Sequence, residues 1–305
     1  MITRRNLLLA GAAGVAGIAV TAGAVGLARR GPGRSKPQTD AQTDAQPDAQ
    51  SRKGPLTISY GGDESRVADL YLPEGDSKVP VAVVIHGGLW MSSYGRELAT
   101  PLAEDLAKQG IAGYAIEYRR VGNGGGWPMT FEDVAAAIDK LADQPRADLS
   151  KVVAVGHSAG GQLAVWAAGR SGLPPGAPGA TPRVVLVGAV SQAGVLDLVN
   201  AYDEKLGGDA IPAFLGTTPA KDRRRYQLAS PYERLPLKVP VALVHGTRDG
   251  QVPIEQSRRY RDAAVAKGDQ VKLTELEHVG HFELIDPDDQ AWHTCRAETK
   301  RLVSS

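Results

Sequence analysis

The segment "KVVAVGHSAGGQLAVWAAG", Lys151 to Gly169, constrains the fold more than any other part of the chain. A run of β-branched and small apolar residues leads directly into Ser158, and a helical pattern starts directly after it. The chain therefore passes from strand to helix within Gly156-His157-Ser158-Ala159-Gly160, a G-x-S-x-G pattern. So sharp a turn has no room for side chains at both flanking positions, hence Gly156 and Gly160. It also lifts the Ser158 hydroxyl clear of the sheet edge. The five-residue pattern recurs by chance, and a plain strand-to-helix turn would also carry glycine, so the flanking strand and helix give it its meaning.

The same alternation runs through the rest of the chain from Pro55 onward. Strands are expected at 56–60, 67–72, 81–86, 112–117, 152–157, 184–190, 240–245 and 271–276, with helices at 95–109, 130–143, 159–169, 253–267 and 288–303. Several strands are continuous apolar runs, as in sheets covered on both faces. The expected fold class is α/β: an eight-stranded, mostly parallel sheet flanked by helices, with right-handed crossovers. The short polar turn from Gly61 to Arg66 makes the first two strands an antiparallel start. Residues 55–305 are expected to form one domain. Residues 194–237 contain no clear strand and read as a small insertion over the C-terminal edge of the sheet.

The N-terminus reads differently. Arg4 and Arg5 precede a weakly apolar, uncharged run from Leu7 to Ala28, and Arg29 and Arg30 follow. Residues 1–30 resemble a Tat-type export signal, with Ala22-Gly23-Ala24 as a cleavage site. Left uncleaved, the run is long enough to tether the domain to a membrane. Residues 31–54, with "TDAQTDAQPDAQ", are too polar to offset their ordering entropy and read as a disordered linker. The formal net charge of +1 predicts no general attraction to nucleic acid. The single cysteine, Cys295, excludes an internal disulfide and reads as a half-buried helical thiol.

A serine hydroxyl is a poor nucleophile unless a base takes its proton, and attack on a carbonyl needs donors for the oxyanion. His86-Gly87-Gly88 ends the third strand, where backbone N–H groups can approach a substrate, and the N–H of Ala159 would complete the hole. Asp249 stands in a turn after the strand at 240–245, and His278 and His281 follow the last strand. Serine, acid and histidine come in that chain order, each after a strand end on one edge of the sheet. His278 and His281 are spaced H-x-x-H, without the H-E-x-x-H of a helical zinc site or a further His/Asp cluster nearby. No metal and no cofactor are expected. A non-catalytic binding module on this fold would lack a member of the trio, and all three are present.

These stretches, with "HGTRDGQVP" and "GHF", resemble the α/β-hydrolase superfamily over residues 55–305. Within it, "HGGLW", "EYRR" and "HFELIDP" resemble the kynurenine formamidase-like and acetylesterase/feruloyl-esterase-like branch. The export segment sets the chain apart from a typical cytosolic formamidase. The resemblance implies Ser158 as nucleophile, Asp249 as orienting acid and His281 as base, with Gly88, Leu89 and Ala159 as oxyanion donors. Trp90 and Trp127 are candidate walls of an acyl or aryl pocket, and Glu117 and Arg119 a candidate structural ion pair. The implied function is hydrolysis of a small-molecule carboxylic ester through an acyl-enzyme. The same apparatus serves amides, so an arylformamidase-like or peptidase activity is the alternative.

Overall fold

In the computed structural model, which describes residues 54–304, eight strands form one sheet in the order β1-β2-β4-β3-β5-β6-β7-β8. They are β1 (Leu56–Ser59), β2 (Val67–Tyr71), β3 (Val79–Ile85), β4 (Ala112–Ile116), β5 (Ala147–His157), β6 (Gly188–Gln192), β7 (Val241–Gly246) and β8 (Val271–Leu276). The β1–β2 and β2–β4 pairs are antiparallel and every other pair is parallel. The sheet expected from the sequence is therefore present, with its antiparallel start. The export segment at 1–30 and the linker at 31–54 lie outside the described residues, except for Gly54. Among the described residues no helix is long and apolar enough to cross a membrane.

Period-two alternation explains how a continuous apolar strand serves two cores. In β3, Val81, Val83 and Ile85 pack into one apolar cluster while Ala82 and Val84 pack into the other. In β5, Val152 and Ala154 face the first cluster, and Val153 and Val155 the second. The first is covered by α2 (Met129–Asp139), α3 (Ala159–Ala168) and α7 (Glu255–Ala266), through Phe131, Trp166 and Tyr260 among others. The second is covered by α1 (Thr100–Lys108) and α8 (Gln290–Val303), through Leu102, Leu106 and Trp292. Cys295 lies fully buried in that second cluster, deeper than the half-buried position expected. Burial raises its thiol to about 12, so it stays protonated and inert.

Three elements depart from expectation, and the first is β5, which starts at Ala147 and not at 152. The sixth strand occupies 188–192 and not 184–190. The Asp139 carboxylate accepts from the N–H groups of Arg183 and Val184, so those donors are taken by a side chain before the ladder begins. The insertion at 194–237 is strand-free but carries three short helices: α4 (Leu198–Asp203), α5 (Ala210–Leu215) and α6 (Arg223–Ala229). Asp197 and Asp222 cap α4 and α6 by accepting from Asn200 N–H and Arg225 N–H.

Candidate active site

Parallel pairing sets Ile85 beside Gly156, His157 beside Gln192, Gln192 beside Val244 and Gly246 beside Leu276. The segments that follow β3, β5, β7 and β8 therefore leave the same edge of the sheet, where open α/β sheets hold their ligands. Ser158 sits at the end of β5 with φ 55° and ψ −119°, a conformation that costs a side-chain-bearing residue about 1–3 kcal/mol. Packing enforces it. A Cβ at Gly156 would overlap the Gly160 carbonyl oxygen, and one at Gly160 would overlap the carbonyl of Ile85. Ser158 N–H donates to the Gln192 carbonyl at 2.8 Å, and the Ser158 carbonyl accepts from Gly161 N–H at 2.9 Å. Ser158 is 5% exposed, and its hydroxyl makes no hydrogen bond to another described residue.

Asp249 lies in the turn after β7. Its Oδ1 accepts from the backbone N–H groups of Gln251 and Val252, both at 2.8 Å. Its Oδ2 accepts from His281 Nδ1 at 2.6 Å and stands 3.3 Å from His245 Nε2. Burial alone would push this carboxyl up. The bonds from His245 and His281, the His281 charge and the Val252 N–H outweigh burial and hold it well below the usual carboxylate range. A carboxylate can only accept, so His281 carries a proton on Nδ1, and in the neutral ring Nε2 keeps a free lone pair. His278 does not reach Asp249. It is exposed at φ 65°, and its backbone N–H donates to Thr247 Oγ1.

The segment after β3 lies against the nucleophile. A Cβ on Gly87 would come 3.2 Å from Ser158 Cβ and 2.8 Å from the His157 carbonyl oxygen. Gly88, Leu89 and Trp90 follow with φ of 108°, 54° and 56°. Ala159, the remaining expected donor, begins α3 beside Ser158. Three consecutive left-handed residues need support, and the segment directly after β4 supplies it. The His86 ring stacks on Tyr118 at 4.3 Å, and its Nε2 donates to Glu117 Oε1 at 3.0 Å. Tyr118 hydroxyl donates to the His86 carbonyl at 2.8 Å. Burial raises the Glu117 carboxyl, but His86, the Arg96 N–H and Arg120 reverse that and leave it lowered.

Glu117 does not pair with Arg119 as expected. Its partners are His86 and Arg120, while Arg119 forms a two-point pair with Asp133 at 2.7 and 2.8 Å. Each side chain is taken by a charged partner other than the one expected, Arg119 by Asp133 of α2 and Glu117 by His86 and Arg120. Trp90 is likewise a core residue and not a pocket wall: 1% exposed, stacked on Phe214 at 4.6 Å, with Nε1 donating to Gln162. Trp127 is half-buried and lines a recess of about 580 Å³ with Pro128, Pro174, Pro175, Arg224 and Leu228, none of them in the Ser-His-Asp trio. The apolar groups exposed near Ser158 are instead Leu89, Tyr94 against Gly88, and Phe282, whose ring meets that of His281 edge-on. Nothing in the sequence marks Tyr94, because its place depends on how the 86–96 segment folds back on itself.

Residues 68–263, more than half of the chain, match the BD-FAE family. The esterase LipC of Mycobacterium tuberculosis is 28% identical over 247 residues, covering 75% of this chain and 60% of LipC. The probable carboxylic ester hydrolase LipM of the same organism is 30% identical over 237 residues, covering 73% of this chain and 54% of LipM. The matched region thus spans a little over half the length of these relatives. Among solved structures, a truncated carbohydrate esterase from gut microbiota superposes with a TM-score of 0.72 at 21% identity, covering 83% of this chain and 100% of that one. That likeness is one of fold, the α/β-hydrolase fold.

Proposed function

The chain belongs to the BD-FAE family, and from that premise we propose that it is a serine hydrolase cleaving a carboxylic ester of a small acyl or aryl substrate. The observation that carries this reading is the 2.6 Å bond from His281 Nδ1 to Asp249, made by a ring that packs on His157, the residue before a serine held at φ 55°. In this reading Ser158 Oγ bonds to the substrate carbonyl carbon as His281 Nε2 takes the hydroxyl proton. The C=O π pair moves to oxygen, and the backbone N–H groups of Gly88, Leu89 and Ala159 receive that oxyanion. Collapse restores C=O and breaks the bond to the leaving oxygen, which takes the proton from His281 and departs as an alcohol. Water then attacks the acyl-Ser158 ester, His281 accepts its proton and returns it to Ser158, and the carboxylic acid leaves. Asp249 holds the Nδ1–H tautomer and stabilises the imidazolium throughout.

A twin-arginine segment at residues 1–30 supports the further proposal that the protein is exported, and tethered to a membrane where that segment is retained. Labelling with a fluorophosphonate tests the nucleophile: Ser158 displaces fluoride and becomes covalently phosphonylated. The full chain is expected to label, and Ser158→Ala is not. An ester and amide panel then follows, with esters expected to turn over faster. Equal labelling of folded wild type and Ser158→Ala would sink the mechanism. Faster turnover of anilides or formamides would move the activity to amides.

A further inference from the structure

His157 ends β5 immediately before the nucleophile and is 5% exposed. Its Nε2 is 2.9 Å from the carbonyl oxygen of His281, a residue 124 positions away. A carbonyl only accepts, so Nε2 carries the proton. The two imidazole rings lie 4.3 Å apart at 49°. On its other side the His157 ring faces the segment after β3: a Cβ on Gly87 would stand 3.0 Å from His157 Nδ1. One buried ring therefore spans the gap between the candidate oxyanion loop and the loop that carries the candidate base.

Among the described residues, no other hydrogen bond reaches the His281 main chain. Its side chain is fixed at Nδ1 by Asp249, but a ring pinned at one atom still swings with its own Cα. The approach to it is held at His278 and Val279, by Thr247 Oγ1 and Arg248 N–H, and the glycine at 280 separates those anchors from His281. Phe282, on the far side, is 53% exposed. We infer that His157 is a positioning residue, whose Nε2–H clamps the His281 carbonyl and so fixes the distance from His281 Nε2 to Ser158. Burial, then the charge of His281, lowers the His157 imidazole to about 3. It therefore stays neutral with its single proton committed to the clamp, and adds no second positive charge when His281 becomes an imidazolium. Its kinetic consequence rests on the serine-hydrolase reading, whereas the clamp itself does not.

The test uses the full chain and three variants. His157→Gln places an amide N–H at nearly the same reach as Nε2, His157→Asn falls one bond short, and His157→Leu removes the donor. Three readouts are taken: the thermal melt, the second-order rate of fluorophosphonate labelling, and the low-field proton resonance of His281 Nδ1–H, assigned by its loss in His281→Gln. Misplacing a base by a fraction of an ångström up to 1 Å costs about 10- to 100-fold. Labelling and kcat are therefore expected to fall by that factor in the Leu and Asn variants, with KM held and the resonance broadened by solvent exchange. The Gln variant is expected within about threefold of wild type, with a sharp resonance. Wild-type rates and a sharp resonance in a folded Leu or Asn variant would overturn the inference. So would a Gln variant as impaired as Leu, since ring volume and not the hydrogen bond would then matter. If Leu does not fold, Gln against Asn decides. If wild type itself does not label, the hydrolase reading fails and the resonance alone decides the clamp.

Discussion

Replacing Asp249 by Asn isolates the charge and the tautomer from the geometry. Asp249 Oδ1 accepts two backbone N–H bonds at 2.8 Å, and its Oδ2 faces His281. In the amide, one position is an oxygen and the other an NH2 group. Turning the NH2 toward Gln251 and Val252 would break both backbone bonds and oppose donor to donor, at about 1 kcal/mol for each bond and 1–3 kcal/mol for each buried donor left unpaired. The oxygen therefore stays on the backbone side and the NH2 group meets His281. His281 relieves that clash by moving its proton to Nε2, which pairs Nδ1 with the amide and removes the lone pair that would take the serine proton. In a serine protease the same change lowers kcat about 10⁴-fold, or about 5.4 kcal/mol at 1.36 kcal/mol per factor of ten. Asp249→Asn should lose about 10³- to 10⁴-fold in kcat on an ester, with little change in KM and a native circular-dichroism spectrum. Folded Asp249→Asn keeping more than about a tenth of kcat would refute the reasoning, since the tautomer would then not limit the reaction.

Three further outcomes follow from the same coordinates. Ser158→Gly and Ser158→Ala should both be inactive, but Gly relieves the φ 55° strain that Ala keeps, so by calorimetry the Gly variant should be about 1 kcal/mol the more stable of the two. The lowered Asp249 carboxyl makes stability depend on acid in one direction. An unfolded Asp titrates near about 3.9, so the contribution is complete above about pH 5 and is lost as pH falls through about 4 toward the lower folded value. The wild-type advantage over Asp249→Asn in urea melts should accordingly be flat above about pH 5 and shrink below about pH 4, and growth on acidification would contradict the assignment. Trp90→Phe should destabilise by about 1–3 kcal/mol, because Gln162 Oε1 loses its donor in the core, and should leave KM unchanged, whereas a pocket wall would change KM first.

What the sequence discloses about this protein follows from how local each constraint is. Continuous apolar runs are buried on both faces wherever they occur, so central strands such as β3, β4, β5 and β7 could be read before their order was known. The glycines at 156 and 160 are demanded by backbone carbonyls only a few ångströms away, and the serine between them inherits that legibility. Misreadings cluster where a distant side chain decides. The sixth strand starts later than expected where a carboxylate more than 40 residues earlier takes the N–H groups of Arg183 and Val184. Glu117 and Arg119 look like neighbours in a pair, yet Glu117 is taken by His86 and Arg120 and Arg119 by Asp133 of α2. Trp90 stands next to the candidate oxyanion segment in the chain, but its left-handed backbone turns the ring inward onto Phe214, from the insertion.

His157 shows the same limit from the other side. In the pattern G-x-S-x-G its position is one of the two variable ones, so the motif assigns it nothing. Its partner is a main-chain carbonyl, which has no residue type to read, 124 positions away. A backbone acceptor can be found only once the fold has placed it. The trio of Ser158, Asp249 and His281 is legible because its members are side chains of unusual type in a fixed chain order. The groups that hold the trio in register act through carbonyls and N–H groups common to every residue. Sequence reasoning on this fold therefore finds the candidate reacting atoms before it finds what fixes the distances between them. Variants of the second kind, His157→Gln against His157→Leu foremost, are where the coordinates predict what the motif alone does not.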